Sequence, residues 1–268
     1  MKWARRISVA LLALTCVATL LLPALATFDY AKQFRNTPND RPSFAHPLGT
    51  DDLGRDRFSR LVYGTRISLL LAPAAALLSA ILAGVIGGVA GYAGGWVERL
   101  AMAVTDLFLS LPWLFLLIAV RAVLPLNVSP ETSVMITFAL LGSLGWAASA
   151  RVVCAGTRAL RDSDFVLQAR ASGISGWRVL GVQVLPNLKP VLFAQFWISI
   201  PVFILAEANL GILGLGVAEP LPSWGSLLRE LEGYSGLSGQ PWRLVPLGLL
   251  IVVVSCFQIV LSEQEVPA

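Results

Sequence analysis

From Ile67 to Val97 the chain carries no charged side chain. About 20 apolar residues in helical form cross the hydrocarbon core of a bilayer, so this run can span it with some tilt. Further apolar runs cover Ile7–Phe28, Ala101–Leu124, Thr132–Ala150, Pro190–Leu213 and Leu244–Ser262. They are too long for barrel strands, and lipid offers no partner to an open backbone, which leaves helices. The expected fold is an all-α polytopic membrane protein of about six transmembrane helices. Composition agrees: 13% of residues are charged and mean hydropathy is +0.73, against about 25% charged in soluble domains.

Several function classes drop out. A net charge of +4 is too small and dispersed for a nucleic-acid partner. Cys16, Cys154 and Cys256 lie in or beside apolar runs and read as small buried hydrophobes. His46 is the one histidine, which argues against a zinc or haem site. The lysines are Lys2, Lys32 and Lys189, and none closes a G-x-x-x-x-G-K-[ST] loop. ATP therefore has no P-loop here, and no catalytic or cofactor-binding constellation is expected.

Residues 1–28 have a basic start and an apolar middle, with Ala24-Leu25-Ala26 as a signal-type cleavage site; an uncleaved transmembrane anchor is the preferred reading. Residues 29–66 form a polar segment broken by Pro38, Pro42 and Pro47. Asp51, Asp52 and Asp56 there lack the alternation of a calcium loop, and Arg55 and Arg57 compete for them, so local Asp–Arg pairing is expected. Gly84, Gly87, Gly88 and Gly91 put small residues on one stripe of the second span, a helix–helix seam. Ionisable residues in spans usually face protein or water, which singles out Asp106, near one end of the third span, and Glu207 in the fifth. Glu207 is expected to hydrogen-bond a neighbouring helix or to touch substrate.

The basic stretch 151–189 interrupts the apolar runs. Ser163 or Asp164 is expected to cap one short helix running toward Ser172, stopped by Gly173; Ser175 is expected to cap a second, running to Val184 and ended by Pro186. Two short helices meeting at a glycine would form a rigid knuckle on the membrane face.

Three motifs carry a resemblance. His46-Pro-Leu-Gly-Thr-Asp-Asp-Leu-Gly-Arg-Asp56 is the most specific. Ala169-Arg170-Ala171-Ser172-Gly173, followed by Leu185-Pro186-Asn187, is the second. Ala206-Glu207-Ala208, Leu213-Gly214-Leu215-Gly216-Val217 and Pro222-Ser223-Trp224-Gly225 form the third. In order and spacing they resemble the C-type permease subunits of dipeptide, oligopeptide and nickel ABC importers. The second motif resembles that family's EAA loop, with Leu167 at the Glu position and Gln168 at the first Ala position. The Gly-Asp-containing tail common in the family is absent from Glu263–Ala268.

The resemblance implies the type I ABC-importer permease fold, with domains divided as anchor 1–28, extracytoplasmic segment 29–66, permease domain 67–262 with coupling loop 151–189, and tail 263–268. It implies that Ala169, Arg170, Ala171, Gly173, Leu185 and Pro186 dock onto an ATPase. It also implies that Gly49, Thr50, Asp51, Gly54, Arg55 and Asp56 belong to an outer-face segment. The implied partners are a second homologous permease, two ATPase subunits that hold ATP and Mg²⁺, a substrate-binding protein and the bilayer. Ten of the 20 Lys and Arg residues fall on the cytoplasmic side and ten on the other side and in the third span, but the first-helix flank Lys2, Arg5 and Arg6 favours a cytoplasmic N-terminus in a bacterial inner membrane. The alternatives are a membrane-embedded enzyme and a degenerate, non-transporting partner subunit. Peptide, nickel complex and other small solutes all remain open as cargo.

Overall fold

Asp56 starts the longest helix. Its Oδ2 accepts the Ser59 backbone N–H at 2.7 Å, satisfying one of the free amides of a helix start. The computed structural model describes residues 2–25, 28–125, 127–231 and 240–262. Helix α1 is Lys2–Leu25 and α2 is Arg57–Ala93. The 37 residues of α2 make about 55 Å of helix against a hydrocarbon core of about 30 Å. Its charged first turns therefore extend beyond the lipid while the uncharged remainder crosses.

The third span departs from expectation. It is not one helix over Ala101–Leu124 but two, α3 (Gly95–Ser110) and α4 (Trp113–Val123), bent by 87°. Pro112 is the cause: the residue before a proline is pushed out of the helical region, and Leu111 is extended at φ −86°, ψ 133°. The fourth span is longer than expected. Helix α5 (Pro130–Leu144) passes through Gly145 into α6 (Trp146–Arg161). The loop expected over 151–189 is shorter for this reason, and Arg151, Arg158 and Arg161 project from α6.

The knuckle then contains α7 (Asp164–Ala171), α8 (Gly176–Val179), a wide turn over Leu180–Val184 and α9 (Leu185–Asn187). After it come α10 (Lys189–Ile212), α11 (Trp224–Arg229), a tight turn over Pro241–Leu244 and α12 (Val245–Ser262). Among the described residues five helical stretches are long and apolar enough to cross a membrane, and six when the bent α3–α4 pair counts as one. The tail 263–268 and positions 26 and 27, beside the cleavage-like site, lie outside the described residues, as do 232–239 of the loop after α11.

The chain divides into two compact units. The first holds residues 1–72, 122–137 and 204–268; the second holds 73–121 and 138–203. In the first, α1 packs along α12, which also contacts α11. In the second, α3 packs against α6, and the glycine stripe of α2 forms the expected seam on two faces. A Cβ on Gly91 would fall 2.8 Å from Thr157 Cβ, and one on Gly87 3.0 Å from Val153 Cβ, both on α6. Gly84 and Gly88 instead face Leu192 and Leu185. Leaving off the side chain on that stripe is what lets the helix backbones approach.

Candidate functional site

The knuckle is built in the second unit. Gly173 has φ +77°, a left-handed stop that costs glycine nothing. The closing bonds run from Gly173 N–H to Arg170 O at 3.0 Å and from Ile174 N–H to Ala169 O at 3.2 Å. Neither expected side-chain cap forms: Ser163 and Ser175 occupy the N-cap positions, but Ser163 Oγ donates back to Leu160 O at 2.5 Å. Pro186 also does not end the second helix at Val184. The chain stays helical through Asn187, because a proline in the first turn of α9 lacks only an amide that would have been free anyway.

Val166, Ala169, Val179, Leu180, Val184 and Leu188 form one buried cluster with Val153 of α6, and Tyr92 packs on its edge. The Arg170 guanidinium lies 4.8 Å from the Tyr92 ring centroid, and its Nε donates to Tyr92 Oη at 3.3 Å. The knuckle is thus fastened to the end of α2 from inside. Its other face is bare: Phe165, Leu167, Trp177 (74% exposed) and Val182 point outward. Large apolar side chains on a rigid, anchored face are the material of a docking surface. Of the motif residues, Ala169 is buried in the anchor, Arg170 reaches back to α2, and Leu185 and Pro186 lie partly buried.

The first unit holds a cluster of ion pairs. Asp51 Oδ1 accepts the Leu53 and Arg55 amides at 2.9 and 2.7 Å, and its Oδ2 accepts Arg55 Nε at 2.6 Å. Arg55 also pairs with Glu219. Arg60, fully buried, reaches Glu219 at 3.2 Å, Glu230 at 3.1 Å and Asp51 at 3.6 Å. Arg57 donates to Glu230 at 3.2 Å and to Thr50 O at 3.0 Å. Three arginines and three carboxyl groups make a clasp between the start of α2 and the segment 219–230. Burial works against the Arg55 charge, yet Glu219 and Asp51 hold it above its ordinary range. Burial pushes the Glu230 carboxyl up, against the pull of Arg60 and Arg57.

The loop ahead of the clasp is folded as the Asp–Arg reading anticipates. Gly49 and Gly54 take φ +70° and +74°, and Thr50 Oγ1 accepts the Asp40 amide at 2.9 Å while donating to Thr37 O at 2.5 Å. Asp56 differs: its partner is His46, with Nδ1 at 3.0 Å, rather than an arginine.

Beneath the clasp, Glu207 of α10 is fully buried and accepts from Ser68 Oγ of α2 at 3.3 Å, the helix-to-helix bond named as one expectation. Trp224, also fully buried, donates from Nε1 to Thr65 Oγ1 at 2.9 Å. Ser223 and Ser226 cap α11 reciprocally. A Cβ on Gly225 would sit 2.7 Å from Gly211 Cα and 2.8 Å from Glu207 O, so the loop backbone lies directly on α10. Asp106 is exposed and ion-paired with Arg151. Glu219, Glu230, Arg60, Ser68 and Tyr92 are the residues that sequence reasoning missed. The available signal was Arg57 and Arg60, three apart at a helix start and sharing a face.

Comparison with known proteins fits this architecture. Residues 68–262 match the family described as "Binding-protein-dependent transport system inner membrane component". The oligopeptide transport system permease protein OppC of Escherichia coli K12 is 34% identical over 256 residues, covering 94% of this chain and 82% of that protein. OppC of Mycobacterium tuberculosis H37Rv is 33% identical over 254 residues, with 93% and 84% covered. The dipeptide transport system permease protein DppC of Bacillus subtilis 168 is 32% identical over 229 residues, with 85% and 69% covered. The chain belongs to the family of binding-protein-dependent transport system inner membrane components, and is a multi-pass transport permease.

Proposed function

We propose that this chain is the transmembrane permease subunit of an ATP-driven importer, passing peptides or a similar small solute from an extracytoplasmic binding protein into the cytoplasm. The observation that carries the reading is the knuckle, anchored from within by its buried cluster and bare on its outer face at Phe165, Leu167 and Trp177. That face docks on an ATPase subunit, which holds ATP and Mg²⁺. Closure of two such ATPases moves the knuckle, and through Arg170, Tyr92 and the packed cluster the movement reaches α2 and α6. Two packed arrangements of the helices are what alternating access requires. The residues of the knuckle, including Ala169, Ala171 and Gly173, carry force and do no chemistry.

The names of the relatives support peptide as the solute class. A basic first-helix flank supports a cytoplasmic N-terminus. In that orientation, with the α3–α4 pair taken as one span, the knuckle lies inside and the clasp outside, where Gly49–Asp56 and the 215–230 loop face the binding protein. A second homologous permease completes the pathway.

The test is the tagged chain expressed in its own host, purified gently with the proteins it retains and reconstituted in liposomes. Wild type should retain ATPase subunits and show solute-stimulated ATP hydrolysis. Trp177→Asp should release the ATPases while leaving the second permease bound. Full coupling in that variant would refute the docking assignment, and a wild-type chain recovered without ATPases would refute the importer.

A further inference from the structure

Two helix interruptions meet at one cavity of about 470 Å³ within the second unit, a size common among small-ligand sites. Leu111 and Pro112, where α3 breaks from α4, and Gly145, where α5 passes into α6, line it together with one face of α10. Phe203 of α10 lies against the second joint. A Cβ on Gly145 would fall 2.5 Å from Phe203 Cζ, and Trp113 stacks on the Phe203 ring at 6.1 Å. Interrupted backbone at membrane depth is tolerated where protein buries it or where it lines a water-filled cavity. Leu111 and Pro112 are exposed, so the second case applies.

Besides the Trp113 indole, the polar side chains of the lining are Ser149, Gln195 and Ser199. Gln195 and Ser199 lie about 9 and about 15 Å along α10 from Lys189, against ~30 Å of hydrocarbon, so Ser199 stands near mid-depth. Polar side chains are costly there and mark the routes of solutes. Their own hydrogen bonds leave a defined remainder. Ser149 Oγ donates to Gln195 Oε1 at 2.9 Å, and Ser199 Oγ donates to the Gln195 backbone O at 2.8 Å. Both hydroxyl protons are thereby used, which leaves two oxygens as acceptors, while the Gln195 amide keeps its N–H donors. A donor beside an acceptor matches the C=O and N–H of a peptide group. No lining residue carries a charge, an imidazole or a thiol, so a metal complex finds no ligand here. Lipid tails would satisfy none of these groups.

We propose that this cavity is a station on the solute's path, where a peptide bond of the passing solute accepts from Gln195 Nε2 and donates to Ser149 or Ser199 Oγ. The inference rests on the reading of the chain as a peptide-class permease and adds the place and the chemistry of the contact. That contact is to the peptide backbone, so it is indifferent to the order of the side chains.

The test uses the assembled transporter with its binding protein in proteoliposomes, and an isotope-labelled mixture of short peptides as the probe, with uptake counted by mass spectrometry. Wild type should take up peptides; its failure to do so would refute the peptide-permease reading itself. Gln195→Leu should lower uptake about fivefold, the worth of one hydrogen bond. Wild type should prefer ordinary peptides to their backbone N-methylated counterparts, and Ser149→Ala/Ser199→Ala should abolish that preference. A photo-crosslinking residue in place of Ala148, exposed on the cavity wall, should give an adduct with labelled peptide during ATP turnover in an otherwise unaltered chain. Unchanged uptake and preference in the variants, with wild type active, overturn the station. An adduct with another polypeptide, or no adduct, overturns it as well.

Discussion

Replacing Arg60 by Met tests whether the clasp holds the first unit together. Arg60 is fully buried and faces Glu219, Glu230 and Asp51. Removing one partner of a buried ion pair costs about 3–5 kcal/mol, mostly because the remaining charge is stranded. Two features move the expectation to the lower end. Glu219 is 52% exposed and keeps Arg55, while Glu230 keeps Arg57. The expected loss is about 3 kcal/mol, or a fall of ~9 °C in the unfolding midpoint for a chain of this size. Thermal unfolding of the detergent-purified protein, followed by tryptophan fluorescence, reads it directly. The double variant Arg60→Met/Glu230→Gln removes a stranded carboxylate as well. It should recover more than ~1 kcal/mol relative to the sum of the singles. A midpoint shift under about 2 °C, or strictly additive losses, would show that the clasp is ornamental to stability.

Glu230 also predicts a pH dependence. A carboxyl whose folded-state pKa is raised favours folding while protonated. That contribution is present below the unfolded-state pKa and fades as pH rises through the folded one. Glu230→Gln should therefore gain on wild type as pH climbs above the ordinary glutamate range, and a constant midpoint difference would rule this out. Gly225→Ala should cost about 1–3 kcal/mol by overpacking, because both atoms its Cβ meets most closely are backbone; an unchanged size-exclusion profile after heating would count against the close approach. Leu167 is 50% exposed, so Leu167→Glu is sterically free and should raise solute-stimulated ATP hydrolysis if the missing acid weakens coupling; an unchanged rate would remove that argument for a degenerate subunit.

Much of the helical architecture was legible because lipid leaves a backbone few options. An uncharged run such as Ile67–Ala93 has to be a helix, and Gly173 announces a stop. What stayed hidden was of two kinds. Local competition decided the helix ends: Pro112 broke a span that hydropathy alone reads as continuous, and Ser163 turned back to Leu160 instead of capping. Long-range pairing decided the clasp. Nothing within the window of Arg60 specifies a partner 170 residues away at Glu230. Asp56 shows the same limit on a smaller scale, since proximity in sequence suggested arginine and the fold supplied His46.

The distance along the chain between the two halves of the clasp has a consequence for biosynthesis. When Arg55, Arg57 and Arg60 leave the ribosome, Asp51 is the one carboxyl of the clasp already made. Glu219 and Glu230 emerge only after the intervening membrane-spanning helices have been made. If any one of those crossings fails or inverts, the acids arrive on the wrong side of the membrane, and three arginines remain without their counter-charges on a half-finished surface. Closing the clasp therefore joins early and late parts of the chain, and it can close only in a chain whose intervening helices are already in place.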